Sequence, residues 1–324
     1  NKIYDPAIEA GIKANKSVQE IYEDLIFTDI RNACDILMPI YESSDGLDGY
    51  VSIEVPPSLA KSTDNSTIEE ARRYYQTIDR PNLMIKIPGT PEGLPAVEQA
   101  ISEGMSINVT LLFSVQSYIE TAWAYIRGLE KRAEAGEDIS KVASVASFFL
   151  SRIDVMIDEQ IDSKLESAEG DAKAKLEAIK GKVAIANAKV AYQKYKEIFS
   201  SDRWKALAAK GAKVQRLLWA STGTKNPDYS DVMYVDELVG QDTVNTLPPD
   251  TIDACVDHCD PASRIESNLD AAQQVIEGLK DDAVDIDLDA VMDALLDEGI
   301  DKFIKPFESL MSSLEAKVKH LAAV

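Results

Sequence analysis

Six short runs rich in β-forming residues recur along the chain, and stretches with helical periodicity lie between them. An order of strand then helix is the pattern of parallel strands joined by crossover helices. No Gly-x-Gly-x-x-Gly follows any of these runs, which removes the usual nucleotide-binding support for an open doubly wound sheet. We therefore predict an α/β fold of the closed (β/α)8, or TIM, barrel type. The predicted strands cover residues 49–55, 83–88, 106–111, 142–147, 215–220 and 243–247.

Helical patterns predict how the rest of the chain is organised. After residue 247 no further strand is predicted, and three segments with apolar residues on one face should pack on the barrel or across its mouth. A barrel of this type has eight strands, so the first two are missing from the pattern and would precede residue 1. We predict a single, N-terminally incomplete barrel domain over residues 1–324, with residues 261–324 as a helical extension. The predicted helices cover residues 66–78, 94–103, 114–135, 172–199, 261–279, 288–296 and 300–321.

Composition narrows the classes of partner. With 34 Lys and Arg against 56 Asp and Glu, the net charge of −22 disfavours nucleic acid and membrane surfaces as partners. No apolar run approaches the roughly 20 residues that span a bilayer. The cysteines, Cys34, Cys255 and Cys259, are too few for a disulfide scaffold and fit a reducing cytoplasm. Cys255, His258 and Cys259 lie close together, but three ligands without a second cluster do not predict a zinc site. The sequence leaves the oligomeric state open, a homodimer included.

Lys86 lies inside the apolar strand 83–88, and a lysine is almost never buried in such a place without a partner. One interpretation is catalytic, because a desolvated lysine more readily presents a free amine that can attack a ketone and form a Schiff base. The alternative is a buried stem whose ammonium reaches a carboxylate or the solvent. Glu54, on the preceding strand, suits both interpretations, since it could relay protons or pair with Lys86.

Polar residues also end the later strands, where active sites of β/α barrels form. Asn108 and Thr110 differ by two positions, so both should face the barrel interior or its mouth. Ser147 is predicted at a strand end, and Arg152 follows it. Arg152 could bind a phosphate through paired hydrogen bonds or form an ion pair with Asp154 or another acid. The segment 219–227 offers hydroxyls, a glycine turn and a lysine, which suit either phosphate binding or an ordinary turn.

Four segments together resemble the transaldolase family, in particular its bacterial branch. They read MIKIP at 84–88, NVTLLFS at 108–114, ASFFLSR at 146–152 and WASTGTKNP at 219–227, and the likeness runs from about residue 22 to about residue 258. The resemblance implies a (β/α)8 barrel of the class I aldolase type that works without a metal or organic cofactor. The family's reaction, in the pentose phosphate pathway, carries a dihydroxyacetone unit from sedoheptulose 7-phosphate to glyceraldehyde 3-phosphate. Erythrose 4-phosphate and fructose 6-phosphate are the products.

The resemblance also implies roles for eight residues. Lys86 matches the Schiff-base lysine, Glu54 the carboxylate that works with a catalytic water, and Thr110 the hydroxyl that holds this water. The positions that match substrate contacts are Asn108 at the ketone's hydroxyls, Ser147 at another contact, Arg152 and Ser221 at the phosphate end, and Lys225 in place of a second arginine.

Two features of the family are not found upstream of residue 49: the catalytic aspartate at the end of its first strand and the Thr/Ser-Asn-Pro motif of its second. A chain complete as given would be impaired in transfer, whereas a fragment would come from a working enzyme. Two alternatives remain beside the transferase. One is a fructose 6-phosphate aldolase-like lyase with the same imine chemistry, and the other is a non-catalytic barrel that binds sugar phosphates.

Overall fold

A computed structural model describes residues 2–322 of the chain. Six parallel strands form one sheet in chain order, each hydrogen-bonded to the next, so that β1 and β6 are the outer strands of the described part. The prediction of a parallel α/β sheet with six strands is confirmed. The strands are β1 (Val51–Glu54), β2 (Leu83–Pro88), β3 (Ile107–Leu112), β4 (Ser144–Phe149), β5 (Arg216–Ala220) and β6 (Thr243–Asn245).

The helices cover the outside of the sheet. β3 and β4 are buried along their whole length, and β2 is buried except at Lys86, because side chains pack on both faces. No described helix combines the length and the apolar character needed to cross a membrane. The helices are α1 (Asp5–Lys13), α2 (Val18–Ser43), α3 (Ser66–Ile78), α4 (Leu94–Ser102), α5 (Val115–Glu134), α6 (Ser151–Leu165), α7 (Gly170–Ile179), α8 (Val183–Ile198), α9 (Asp202–Ala208), α10 (Met233–Asp236), α11 (Pro249–His258), α12 (Leu269–Gly278) and α13 (Leu288–Ala322).

The predicted helix 172–199 is wrong as a single element. The chain ends α7 at Ile179, turns, and begins α8 at Val183. Gly181 makes the turn with φ +70°, and a Cβ at this position would lie 2.6 Å from the ring of Tyr229. Glycine is required here both for the left-handed backbone and for the close approach of the tyrosine.

The predicted helices 288–296 and 300–321 form one continuous helix, α13, of 35 residues. Gly299 lies between the two predicted helices and lets α13 approach the end of β3. A Cβ at Gly299 would lie 3.1 Å from the Leu111 side chain. Pro306 lies inside the helix without ending it.

Two further predictions need correction. The segment 261–268 is not helical, because the backbone N–H groups of Arg264 and Ile265 both donate to the Val239 carbonyl and Ile265 packs on Gly240. The helix in this part of the chain, α11, begins earlier, at Pro249, and α12 begins only at Leu269. The fourth strand begins two residues later than predicted, so Ser147 lies inside β4 instead of ending it.

Helices α1 and α2 precede β1 and pack with the far end of α13. Ile8, Ile21 and Leu314 form a buried cluster of their own, separate from the main core. Lys317 pairs with Asp5 at the edge of this cluster, and the rings of Tyr22 and Phe307 meet edge to face with centroids 5.6 Å apart. The final helix therefore connects the amino-terminal helices to the sheet.

Candidate active site

The strand register brings three of the predicted residues into one row. Glu54 pairs with Lys86 across β1 and β2, and Lys86 pairs with Asn108 across β2 and β3. Residues paired in this way on neighbouring parallel strands point to the same face of the sheet. The Nζ of Lys86 lies 3.6 Å from Oε2 of Glu54. The predicted contact between these two side chains is therefore present, and it suits both interpretations of Lys86.

Lys86 is only partly buried, with 24% of its side chain exposed. The ring of Phe303 on α13 covers it, with the centroid 5.7 Å from Nζ. Burial raises the pKa of Glu54 above the ordinary carboxyl value, and the nearby Lys86 ammonium offsets part of this rise. Oε1 of Glu54 is buried and has no hydrogen-bond partner among the described residues. A carboxyl group in this state keeps its proton to a higher pH than an exposed one does.

Hydrogen bonds tie Asn108 to the strands beside it. The Ser147 hydroxyl donates to Oδ1 of Asn108 at 2.7 Å, and Nδ2 of Asn108 donates to Oγ of Ser52 at 3.1 Å. Asn108 and Ser147 are both buried, so the amide is held in one orientation. Ser52 was not predicted, although it lies two residues before Glu54 and therefore on the same face of β1.

Thr110 follows Asn108 on the same face, as predicted, and is fully buried. Its Oγ1 has no hydrogen-bond partner among the residues described. The strand alternation ends one residue later, because Leu111 takes a left-handed φ of +60° and its side chain packs beneath Gly299 of α13. We call Glu54, Lys86, Asn108, Thr110 and Ser147 the lysine cluster.

Arg152 and Ser221 lie at the ends of β4 and β5. Ser221 has φ +56°, its carbonyl accepts from the Ser151 N–H at 3.0 Å, and the two serine Oγ atoms are 2.9 Å apart. Arg152 lies on the first turn of α6, with its guanidinium 5.2 Å from the Phe149 ring centroid. Its Nη1 is buried and has no hydrogen-bond partner in the part of the chain that the structure describes, and burial lowers the pKa of Arg152.

An ion pair between Arg152 and Asp154 is not formed, because Asp154 is engaged elsewhere. Asp154 Oδ1 accepts from the Ala184 N–H at 2.8 Å, and Oδ2 accepts from the Tyr234 hydroxyl at 2.7 Å. Burial raises the pKa of Asp154 to about 6, while the Tyr234 hydrogen bond acts in the opposite direction.

Asp158, one helical turn further along α6, is bound in the same way. Its Oδ1 accepts from the Gly181 N–H at 2.9 Å, and its Oδ2 accepts from the Tyr229 hydroxyl at 2.7 Å. We call Asp154, Asp158, Tyr229 and Tyr234, with the two backbone N–H groups, the aspartate clamp.

Lys225 lies apart from the lysine cluster. Its side chain is exposed and lines a groove of about 240 Å³ beside the aspartate clamp, together with Glu159 and Asp162. The acidic surroundings of this groove do not favour a phosphate. The assignment of Lys225 as a substitute for a second arginine stays a prediction, and the position gives it little support.

Helix α13 contributes residues that sequence patterns did not assign to the site. Phe303 covers Lys86, and the charge of Glu298 acts on Arg152. The two residues are five positions apart, about 7.5 Å along a helix axis. Phe303 is an apolar residue and Glu298 an acidic residue on a regular amphipathic helix. Nothing in the sequence pattern distinguishes them from ordinary packing and surface residues.

Comparison with known proteins places the chain among sugar-phosphate enzymes. The family model described as "Transaldolase/Fructose-6-phosphate aldolase" matches residues 1–314. A protein named "Transaldolase" from Trichodesmium erythraeum (strain IMS101) is 70% identical over 325 residues, which cover 100% of this chain and 85% of that protein. "Transaldolase 2" from Nostoc sp. (strain PCC 7120) is 68% identical over 326 residues, with the same coverage. "Transaldolase" from Saccharopolyspora erythraea is 47% identical over 316 residues, 97% of this chain and 82% of that protein.

Proposed function

Because this chain belongs to the transaldolase/fructose-6-phosphate aldolase family, we propose that it is a transaldolase in which Lys86 forms a Schiff base with the ketose donor. The donor is sedoheptulose 7-phosphate and the acceptor is glyceraldehyde 3-phosphate. The single observation that carries the assignment of Lys86 is its position: a partly exposed amine on a buried strand, 3.6 Å from Glu54. The family's (β/α)8 barrel accords with the parallel sheet and the C-terminal helices.

The chemistry begins at the amine. The lone pair of Lys86 Nζ attacks the donor's ketone carbon, and loss of water gives an iminium ion. The family's catalytic aspartate is not found upstream of residue 49, so we assign the next proton transfer to a water molecule at Glu54. This water takes the proton of the hydroxyl on the fourth carbon while the bond between the third and fourth carbons breaks, its electron pair moves toward the iminium nitrogen, and an aldehyde phosphate leaves. The remaining three-carbon enamine adds to the carbonyl carbon of the acceptor aldehyde, whose oxygen takes the proton back, and water hydrolyses the new imine.

Glu54 and Thr110 act in the steps that release and consume water. Two of their oxygens, Glu54 Oε1 and Thr110 Oγ1, are buried without partners, which supports a water held at this position. Glu54 gives a proton to the hydroxyl that leaves during imine formation and takes one from water during hydrolysis. Its raised pKa suits both directions of this transfer.

Asn108 and Ser147 orient the donor's hydroxyls, and Arg152 with Ser221 binds its phosphate. Support for Asn108 comes from its fixed amide, which leaves hydrogen-bonding capacity toward the mouth. Support for Arg152 comes from its buried and unpartnered Nη1, since a guanidinium in such a place favours an anionic ligand.

We extend the proposal to the chain's setting. The enzyme works in the pentose phosphate pathway of the cytoplasm, its ligands are sugar phosphates, and residues 1–324 belong to one domain. The net charge of −22 argues against nucleic acid as a partner. A homodimer is the assembly we would test first, by light scattering at several protein concentrations.

Borohydride trapping tests the proposed chemistry. The chain of residues 1–324 is incubated with fructose 6-phosphate and borohydride, and intact mass and peptide mapping locate any adduct. We expect a reduced three-carbon adduct on Lys86, because cleavage leaves the enamine on the lysine. Lys86→Met, which keeps the length and apolar stem of the side chain, is the matched control and should give no adduct.

Other outcomes separate the alternatives. A six-carbon adduct alone would mean that the imine forms without carbon–carbon cleavage. No ketose-dependent adduct in the folded wild-type protein would contradict the proposal and favour a sugar-phosphate-binding barrel. An aldehyde phosphate acceptor that fails to accelerate turnover would favour the aldolase-like lyase.

A further inference from the structure

The aspartate clamp joins three parts of the chain behind the first turns of α6. Asp154 and Asp158 lie on α6, the backbone N–H groups of Gly181 and Ala184 belong to the turn and start of α8, and the tyrosines come from the connection between β5 and β6. Each carboxylate receives one backbone N–H and one tyrosine hydroxyl at 2.7 to 2.9 Å. The clamp therefore fixes α6 against two neighbouring elements at once.

Arg152 lies two residues before Asp154 on the same helix. Positions two apart on an α-helix are about 200° apart around its axis, so the two side chains leave α6 on nearly opposite sides. Asp154 is 3% exposed and points into the protein, whereas Arg152 is only partly buried and packs on Phe149 at the end of β4. No carboxylate among the described residues forms an ion pair with Arg152 within 4.0 Å. The guanidinium packs on the Phe149 ring and is influenced by the charge of Glu298, and the first turn of α6 sets the backbone position from which it extends.

Stability alone does not explain a carboxylate at this place. Burying a carboxylate costs free energy that its hydrogen bonds only partly return, and an apolar side chain of similar size would pack at lower cost. The raised pKa of Asp154 shows the same burial cost. Asp154 instead fixes the orientation of α6, since its two oxygens accept hydrogen bonds from partners that lie on different elements.

We propose that Asp154 is a positioning residue for the phosphate end of the substrate: it orients the first turn of α6 so that Arg152 meets the donor's phosphate. The inference rests on the proposed function and deepens it by naming the group that sets the position of the phosphate-binding arginine. Asp158 and Tyr229 fasten the next turn of α6 and do not share this role.

The test compares a phosphorylated with an unphosphorylated donor in the Asp154→Asn variant. The amide can still accept from the Ala184 N–H, but its nitrogen cannot accept from the Tyr234 hydroxyl. We expect KM for fructose 6-phosphate to rise about tenfold while kcat stays within about threefold, because small displacements of a binding group weaken its contact. For fructose, which lacks the phosphate, kcat/KM should change by less than about twofold.

A double-mutant cycle with Arg152→Ala identifies the route of the effect. If Asp154 acts through Arg152, Asp154→Asn should have almost no further effect on KM once the arginine is absent. Asp158→Asn is the matched control, since it makes the same substitution one turn further along α6. It should lower the melting temperature and leave KM for fructose 6-phosphate within about twofold of wild type.

Three results would overturn the inference: equal losses of kcat/KM for both donors, an Asp154 effect that adds fully to that of Arg152→Ala, or an equal rise of KM in Asp158→Asn. Wild-type trapping with fructose 6-phosphate is measured first. If wild type forms the adduct and the cycle is additive, the positioning role fails and the proposed function stands. If wild type forms no adduct, the proposed function fails. Binding of inorganic phosphate to wild type, to the two single variants Asp154→Asn and Arg152→Ala and to the double variant then still decides whether Asp154 acts through Arg152.

Discussion

The lysine cluster and the aspartate clamp are two groups of polar side chains at the same end of the sheet, and they differ in how completely their atoms are paired. In the clamp, all four carboxylate oxygens accept a hydrogen bond. In the lysine cluster, Glu54 Oε1 and Thr110 Oγ1 are buried with no hydrogen-bond partner among residues 2–322, and Arg152 Nη1 beside it is in the same state.

Unpaired buried polar atoms cost free energy in the folded protein, so they persist only where something else compensates for them. Ligand and water binding supply that compensation in an enzyme. Buried polar atoms without a hydrogen-bond partner also occur elsewhere among the described residues, for example at Tyr118 and Thr121. In the lysine cluster we expect substrate and water to provide the missing hydrogen bonds, whereas the clamp should serve the fold. The following predictions test this distinction by changing one side chain at a time.

Glu54→Gln should have the largest effect. The amide keeps the shape of the carboxyl group but cannot exchange a proton, so we expect kcat for transfer to fall about 100-fold or more. Stopped-flow measurement of donor cleavage gives the rate. Because Lys86 is intact, a borohydride-trapped adduct should still accumulate on long incubation. Full activity in the variant would show that Glu54 has no catalytic role and that its contact with Lys86 is structural.

Tyr234→Phe should destabilise the protein by about 2 kcal/mol, because it removes a hydrogen bond from a buried carboxylate. Urea unfolding measures the loss. Tyr229→Phe is the matched control in the less buried half of the clamp, and its loss should be smaller, because solvent can replace the missing hydroxyl at Asp158. Equal losses at the two tyrosines would contradict a difference in burial.

The pH dependence of the free energy of unfolding should reveal the ionisation of the Asp154 carboxyl group. Its folded-state pKa of about 6 lies above the ordinary value of 3.8, so the folded protein binds the extra proton between these values. The contribution to stability is therefore largest at low pH and is lost as pH rises through about 6. Relative to Asp154→Asn, the wild-type free energy of unfolding should fall by about 1 kcal/mol from about pH 5 to about pH 7. A flat difference across this range would mean that Asp154 ionises as an ordinary exposed carboxyl group does.

Thr110→Val should have the smallest effect on stability, within about 0.5 kcal/mol of wild type. The two side chains have the same shape, and the hydroxyl that is lost has no partner to leave behind. Urea unfolding provides the value, and the rate of imine formation should fall in the same variant. A loss of 2 kcal/mol or more, an order of magnitude that signals a broken buried hydrogen bond, would show that Thr110 is structural.

The sequence predicted the sheet and the lysine cluster because both follow a period of two. Lys86, Asn108 and Thr110 interrupt apolar strands at alternating positions, and the register then places Glu54, Lys86 and Asn108 side by side. The resemblance to a family added the roles, which periodicity alone left open between catalysis and ion pairing.

What the sequence did not predict depends on contacts between distant segments. The sequence predicted one helix across Gly181 and two helices on either side of Gly299. The structure shows the reverse, because Gly181 turns the chain against Tyr229 and Gly299 admits the end of β3 beneath a continuous helix. An ion pair with Arg152 was one alternative that the sequence left open for Asp154, whereas the observed partners of Asp154 lie 30 and 80 positions away. Local patterns contain no information on such pairings.

Because α13 is continuous, ligand binding at the mouth should affect the amino-terminal helices α1 and α2. One helix, about 52 Å long if straight, carries Phe303 over Lys86 and Leu314 into the cluster with Ile8 and Ile21. A ligand held between Lys86 and Phe303 should oppose the lifting of this helix, and the same lifting would expose the amino-terminal helices. We therefore expect saturating substrate to slow amide exchange in α1 and α2 as well as at the mouth.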